Sequence, residues 1–157
     1  MNYEERVREI LKRFRRAGAD AEVFLQAGQQ LQIHVRNGVL ENLKQSGFKG
    51  AGVRVLFRKR MSFVDSTDLS KGSVDALVER GLSLARMASE DEFHVFPAPE
   101  KPRQRPEIYD PEIRKVPIEK KVELAKRVEE KALSYDPLIT RPEGSSYEDG
   151  DWQVTVA

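Results

Sequence analysis

The side chains that most often perform catalysis are scarce in this 157-residue chain. Cysteine is absent, and His34 and His94 are the only histidines. A disulfide framework, a thiolate metal site and a cysteine nucleophile are therefore excluded. A zinc hydrolase typically carries two histidines on one helical face with a glutamate between them, and the sequence has no such pattern. We expect His34 to face solvent from a strand, His94 to lie in a loop, and no residue of this chain to be catalytic or to bind a metal.

Three glycines, Gly47, Gly50 and Gly52, are close enough together to suggest a phosphate-binding loop. Such loops open a helix whose N-terminal amides meet the phosphate, but here residues 53–57 follow with the period of a strand. Glycine inside a strand indicates a bulge, a bend or the close approach of another backbone. We therefore predict that Gly52 is structural, and that Gly52→Val destabilises the domain by about 1 to 3 kcal/mol if the site has positive φ or tight backbone packing.

Two basic clusters, at residues 12–16 and 54–60, raise the question of nucleic-acid binding. The net charge is only +1, with 27 Lys and Arg against 26 Asp and Glu. Nucleic acid is therefore an unfavoured partner, and we interpret the clusters as helix-dipole charges and a solvated turn. The carboxylates of residues 90–92 are expected to solvate a helix-to-linker junction. No apolar run approaches the roughly 20 residues that span a bilayer, so we expect no membrane partner and a cytoplasmic location.

The hydrophobic pattern predicts the elements that position these residues. Apolar residues at spacings of three and four predict helices over residues 3–17 and 70–88 and a third that starts at Pro117 and stops at Asp136. A period of two predicts antiparallel strands, which we place at residues 20–26, 30–36, 39–46, 48–58 and 61–66. Asn37-Gly38 predicts a tight hairpin turn, because both residues tolerate positive φ.

The C-terminal part of the chain is less regular. Six of the eight prolines fall between residues 97 and 117, which predicts an extended linker. Residues 138–143 and 152–156 are predicted to pair as two strands across a turn at 144–150. We thus expect an α+β domain over residues 1–96 with both helices on one face of a mostly antiparallel sheet, a linker over 97–117, and a helix with the start of a β region over 118–157. That region ends inside an alternating run, so we expect it to continue into a C-terminal domain.

A series of short motifs occurs in order along most of the chain. Ala21-Glu22-Val23 is followed by Val35 to Gly38, by Gly50-Ala51-Gly52-Val53-Arg54-Val55 and by Ser66 to Ser70. This order resembles the N-terminal domain of the TldD/PmbA family, metalloprotease-related proteins also described as modulators of DNA gyrase. The turn motif and Thr67 to Ser70 resemble the PmbA branch, also called TldE. The family positions to which we assign a structural or substrate-side role are Asn37, Gly38, Glu41, Ser46, Gly50, Gly52, Arg54 and Asp68.

The resemblance implies the N-terminal part of a metallopeptidase subunit that acts on unfolded or flexible peptides within a homodimer or heterodimer. In that family the metal-binding motif lies in a C-terminal domain, so zinc is expected only there or in the partner subunit. This chain alone is expected to be inactive. An antiparallel sheet also offers an edge that recognises a peptide backbone by strand addition. The alternative is a non-enzymatic module that binds a partner protein or nucleic acid through the basic turn, which a salt-dependent affinity for DNA would support.

Overall fold

The computed structural model describes residues 2–98 and 108–157. Within them are three α-helices, α1 (Tyr3–Arg16), α2 (Lys71–Met87) and α3 (Ile118–Tyr135), and a short 3-10 helix, Pro111–Lys115. The strands are β1 (Asp20–Arg36), β2 (Val39–Phe57), β3 (Arg60–Ser66) and β4 (Ser145–Val156). They form one antiparallel sheet in the order β3-β2-β1-β4. The predicted α+β fold is confirmed.

Strands β1 and β2 are each continuous where the sequence predicted two shorter strands. The predicted breaks fall near Gly28 and Gly47, and these two glycines lie beside each other on neighbouring strands. A Cβ atom at Gly47 would stand 3.8 Å from the carbonyl oxygen of Gly28. Since a paired strand supplies hydrogen-bond partners to the backbone, glycine there weakens the strand without ending it.

The predicted terminal strand pair is wrong. Residues 138–143 are not a strand, and β4 runs without a break through the turn predicted at 144–150. The residue before β4, Gly144, has a φ of +129°. β4 pairs with β1 instead: Val23 donates its N–H to the carbonyl of Ala157 at 2.7 Å, and Ala157 donates to Val23 at 3.1 Å. The long β1 strand offers an edge that local sequence patterns do not reveal.

The described residues form two compact units, one of 2–27, 48–98 and 152–157 and the other of 28–47 and 108–151. The core of the first unit lies between the sheet and the helices α1 and α2. Gly81 of α2 is packed so closely that a Cβ atom there would lie 3.1 Å from Phe14 and from Val55. The main buried residues of this core are Val7, Ile10, Phe14, Val23, Leu25, Val53, Val55, Leu69, Val74 and Ala85.

The second unit has a small apolar core of Leu31, Ile33, Val35 and Ala125, with Val122 and Tyr147 against it. Helix α3 buries Lys121 and Glu129 beside Ala125, so the face it turns inward is largely charged. The predicted domain boundaries stay a prediction, and residues 99–107 of the predicted linker lie outside the described residues. The described helices include none long and apolar enough to cross a membrane.

Candidate functional site

The hairpin turn that joins β1 to β2 is held by a carboxylate from α3. Asn37 and Gly38 have φ angles of +51° and +72°, as the sequence predicted for a tight turn. Their backbone N–H groups donate to Glu129 at 2.8 and 2.6 Å. Glu129 is only 2% exposed. Because hydrogen bonds to a carboxylate are strong, these two fix the turn against the helix.

His34 lies between side chains of two neighbouring strands. Its Nδ1 is 3.1 Å from the hydroxyl of Ser146, and its Nε2 is 3.1 Å from the carboxylate of Glu41. The same carboxylate forms an ion pair with Arg36 at 3.5 Å. His34 is therefore partly covered and hydrogen-bonded, where the sequence suggested a solvent-facing residue. Serine, histidine and carboxylate in this order are the groups of a nucleophile relay. Water reaches all three on the sheet surface, and we assign them no catalytic role, because such chemistry needs donors for an oxyanion in a sheltered site.

Ser146 was missed by sequence reasoning because it lies 112 residues from His34. Nothing local in the sequence marks it. Glu41 was found only through the family motif, and Ser46 of the same motif lies partly exposed on β2.

A buried ion pair lines a cleft of about 220 Å³ in the second unit. Lys121, only 5% exposed, places Nζ 2.6 Å from Asp149 and donates to the carbonyl of Ile113 at 3.1 Å. Burial raises the pKa of the Tyr147 hydroxyl to about 12, and its hydrogen bond to Asp149 and the charge of Asp149 add to that shift. Arg114 pairs with Asp151 at the same cleft. The charges in the cleft are therefore matched within the chain.

Gly50 and Gly52 form the floor of a groove on the first unit, with a volume of about 320 Å³. We call it the glycine groove; its walls include Phe24 and Gln26 on one side and Asp65, Ser66 and Thr67 on the other. The pairing of β2 with β3 is unbroken from Ala51–Ser66 to Phe57–Arg60, with Gly52 opposite Asp65.

Gly52 has neither the positive φ nor the close packing that would make a side chain there costly. Its φ is not positive, and a Cβ atom built there would have nothing within 4 Å. Gly52 also lies in the unbroken register, so it occupies no bulge of the β2–β3 pair. At Gly50 the closest atom to such a Cβ would be the carbonyl oxygen of Ser66 at 3.5 Å, an ordinary contact.

Arg54 and Asp68 both support local structure. Arg54 forms an ion pair with Glu22 and stacks 5.1 Å from the ring centre of Phe96. Asp68 accepts hydrogen bonds from Ser73 and Ser70 at the start of α2. The bond from Ser73, then the bonds from Ser70, lower the pKa of the Asp68 carboxyl, and the charge of Lys49 adds to this.

The basic turn between β2 and β3 is largely engaged by the segment that follows α2. Arg60 donates to the carbonyls of Arg86 and Ala88 at 3.2 and 3.1 Å and pairs with Glu90 at 3.7 Å. Lys59 donates to the carbonyl of Glu92 at 3.1 Å. The acidic segment therefore contacts the turn, where the sequence suggested that it only solvates a junction.

The part of β2 next to the hairpin has a strand on one side only among the described residues. β3 pairs with residues 51–57 of β2, so residues 39–47 have β1 as their single neighbour. Every residue from 39 to 45 is exposed, including Val39, Leu40 and Leu43. Residues 39–47 are thus an open strand edge. Across residues 2–98 and 108–157, no three His, Asp or Glu side chains group closely enough to hold a metal ion.

Comparison with known proteins supplies the family context. Residues 21–85 match the family model described as PmbA/TldA metallopeptidase domain 1. The chain is 30% identical over 135 residues to the metalloprotease PmbA of Escherichia coli O157:H7. That match covers 81% of this chain and 28% of the relative, so the chain spans less than a third of the relative's length.

Two solved structures share the fold. A protein from Thermotoga maritima, described as a candidate modulator of a DNA gyrase, superposes with a TM-score of 0.81 at 15% identity, over 99% of this chain and 35% of that protein. TldE from Thermococcus kodakarensis gives a TM-score of 0.67 at 17% identity, over 98% and 34%. At these identities the likeness concerns the fold alone.

Proposed function

Because the chain belongs to the PmbA/TldD family, we propose that it is the N-terminal part of a metallopeptidase subunit that binds unfolded or flexible peptides. The metal, which we expect to be zinc, would be held outside these residues, in a C-terminal domain or in a homologous partner subunit of a dimer. We also propose that the assembly works in the cytoplasm and that it belongs to the PmbA branch. The family description and the name of the relative support a peptidase role.

The open edge of β2 is the observation that carries the peptide-binding part of this proposal. In an antiparallel pair joined by a two-residue turn, every second residue of β2 directs its N–H and C=O away from β1. Over residues 39–47 the described chain supplies no partner on that side. An extended peptide satisfies those groups through its own backbone, whatever its sequence. A folded protein cannot present such a backbone, so the edge selects flexible chains.

The exposed apolar residues beside this edge strengthen the argument. Val39 is 65% exposed and Leu40 41%. A long open edge with apolar side chains is prone to aggregation unless something covers it. A bound peptide would cover both the backbone groups and these side chains.

Cleavage assays with unfolded peptides test the function. The 157-residue chain, a longer chain that carries the C-terminal half, and that longer chain with its homologous partner are compared with and without a chelator. We expect no turnover by the short chain and chelator-sensitive turnover by the assembly that holds the metal. Chelator-insensitive turnover by the 157 residues would refute the proposal, because it would require a catalytic centre within them.

Modified substrates test the role of the edge separately. A substrate N-methylated at every residue cannot donate to a strand from either of its edges, and the unmethylated peptide is its matched control. We expect the methylated peptide to lose binding to the 157-residue chain. Equal binding of the two peptides would exclude strand addition.

The second candidate is a non-enzymatic module that binds a partner protein or nucleic acid. It is favoured by the name of the Thermotoga maritima protein, a candidate gyrase modulator. Against nucleic acid, Arg54, Lys59 and Arg60 are engaged within the chain. DNA affinity that falls steeply with salt would support this candidate, and DNA affinity too weak to measure at low salt would remove its nucleic-acid form.

A further inference from the structure

Packing among the described residues does not explain the glycine groove. Glycine inside a strand costs conformational entropy and contributes no side chain to packing. A β-branched residue at position 52 would suit the strand better, and the structure has room for it, since nothing lies within 4 Å of a Cβ atom there.

A glycine within a strand has three ordinary explanations: a bulge, a close approach of another part of the same chain, or a close approach of a ligand. The unbroken register of β2 and β3 removes a bulge against β3 at Gly52. The empty space above Gly52 removes the second for the described residues. Among the described residues, the backbone of Gly52 is therefore open to a ligand that lies directly on it.

The walls of the groove define the chemistry of that ligand. Phe24 is 48% exposed and Phe48 is 39% exposed, which leaves aromatic surface open beside the glycines. On the opposite wall, the Asp65 carboxylate is exposed and forms no ion pair within residues 2–98 and 108–157. Arg80 binds only the backbone carbonyl of Asp65, at 2.5 Å. Lys49 also lines the groove.

Aromatic surface opposite an unpaired carboxylate favours a flat cation with an apolar stem. The arginine side chain has this form: its guanidinium stacks on aromatic rings and bonds a carboxylate through two parallel donors. The chain itself uses such stacking, with Arg54 at 5.1 Å from the ring centre of Phe96 and Arg86 at 5.5 Å from that of Phe57.

We propose that the glycine groove binds an extended peptide through an arginine side chain, which lies along Gly50 and Gly52 with its stem against Phe24 and its guanidinium on Asp65. This inference rests on the proposed peptide-binding function and adds a substrate preference to it. Because the two glycines have no side chains, the arginine stem has room to lie on their backbone.

Peptide binding to the 157-residue chain tests the groove without any need for cleavage. The probes are two fluorescein-labelled Gly/Ser/Ala peptides, one with a central arginine and one with citrulline, which has the same shape without the charge. Fluorescence anisotropy should show the arginine peptide binding about tenfold more tightly, as one charge-assisted contact predicts. Asp65→Asn should remove this difference. Gly52→Val should weaken both peptides by about tenfold or more without lowering the melting temperature, because it fills the groove and not the core.

Phe24→Ala and Phe63→Ala are the matched pair of aromatic variants. Phe63 is 69% exposed on β3 and does not line the groove, so its removal should leave binding unchanged, while removal of Phe24 should weaken it. Equal binding of the arginine and citrulline peptides to the unmodified chain would overturn the proposal, and so would unchanged binding by Gly52→Val. If a longer assembly cleaves peptides but the groove variants bind normally, the groove fails and the peptidase proposal stands. If arginine-selective binding occurs and no assembly cleaves peptides, the groove proposal stands and the peptidase proposal fails.

Discussion

The two units of the chain bury different kinds of side chain. The core of the first is apolar, with Phe14, Ile10 and Leu25 among its fully buried residues. In the second, the inward face of α3 carries Lys121 and Glu129 beside Ala125, and each charge is matched by a partner distant in sequence. Burial of apolar area is non-directional, whereas a buried charge is favourable only when its own partners are in place. The first unit should therefore tolerate substitutions between apolar side chains of similar volume. The second should lose stability when one partner of a buried charge is removed.

The largest expected effect is the loss of Lys121. Lys121→Met keeps much of the apolar stem but leaves Asp149 without its cation, and breaking a buried pair costs about 3 to 5 kcal/mol. The unfolding free energy from urea denaturation measures this. The double variant Lys121→Met/Asp149→Leu should recover most of the loss, because no unpaired charge remains. If the losses of unfolding free energy in Lys121→Met and Asp149→Leu simply add in the double variant, the two side chains do not stabilise each other.

Glu129→Ala should have the next largest effect. The N–H groups of Asn37 and Gly38 would lose their carboxylate acceptor, and a hydrogen bond to a charged group contributes about 1.5 to 3 kcal/mol. Hydrogen exchange at these two amides should accelerate with the loss of stability. Glu130→Ala, next to it on the exposed side of α3, is the control and should change stability by less than about 0.5 kcal/mol. Equal effects of the two substitutions would contradict the role of Glu129 in the turn.

These two charges mark how far the sequence could predict the fold. The helix α3 follows from its apolar spacing, and the hairpin follows from Asn37-Gly38, because each depends on residues close in sequence. That Glu129 bonds the hairpin does not follow, since 91 residues separate it from Gly38. The pairing of β4 with β1 and the contact of Ser146 with His34 could not be predicted for the same reason. Local patterns report local preferences, while partners across the fold depend on topology.

In the first unit, Gly81 should be the most sensitive glycine. Even a Cβ atom at position 81 would lie 3.1 Å from Phe14 and from Val55. The further methyl groups of Gly81→Val would overpack this site, which costs about 1 to 3 kcal/mol. Gly72→Ala in the same helix is the matched control, because nothing lies within 4 Å of its Cβ position. It should be neutral or stabilising by up to about 1 kcal/mol. Thermal denaturation of the two variants decides, and a stabilising Gly81→Val would show that the core has unused space.

The smallest expected effect is at Gly52, where sequence and structure lead to opposite expectations. Gly52→Val adds a β-branched side chain to a regular strand position with open space above it, so the unfolding free energy should stay within about 0.5 kcal/mol of the parent or rise. The contrast with Gly81→Val is informative, because both substitutions add the same atoms to the same unit. If Gly52→Val destabilises as strongly as Gly81→Val, position 52 is constrained by packing and the argument for a ligand on the glycines loses its premise. If it is neutral in denaturation and weakens peptide binding, the empty space at Gly52 belongs to a ligand.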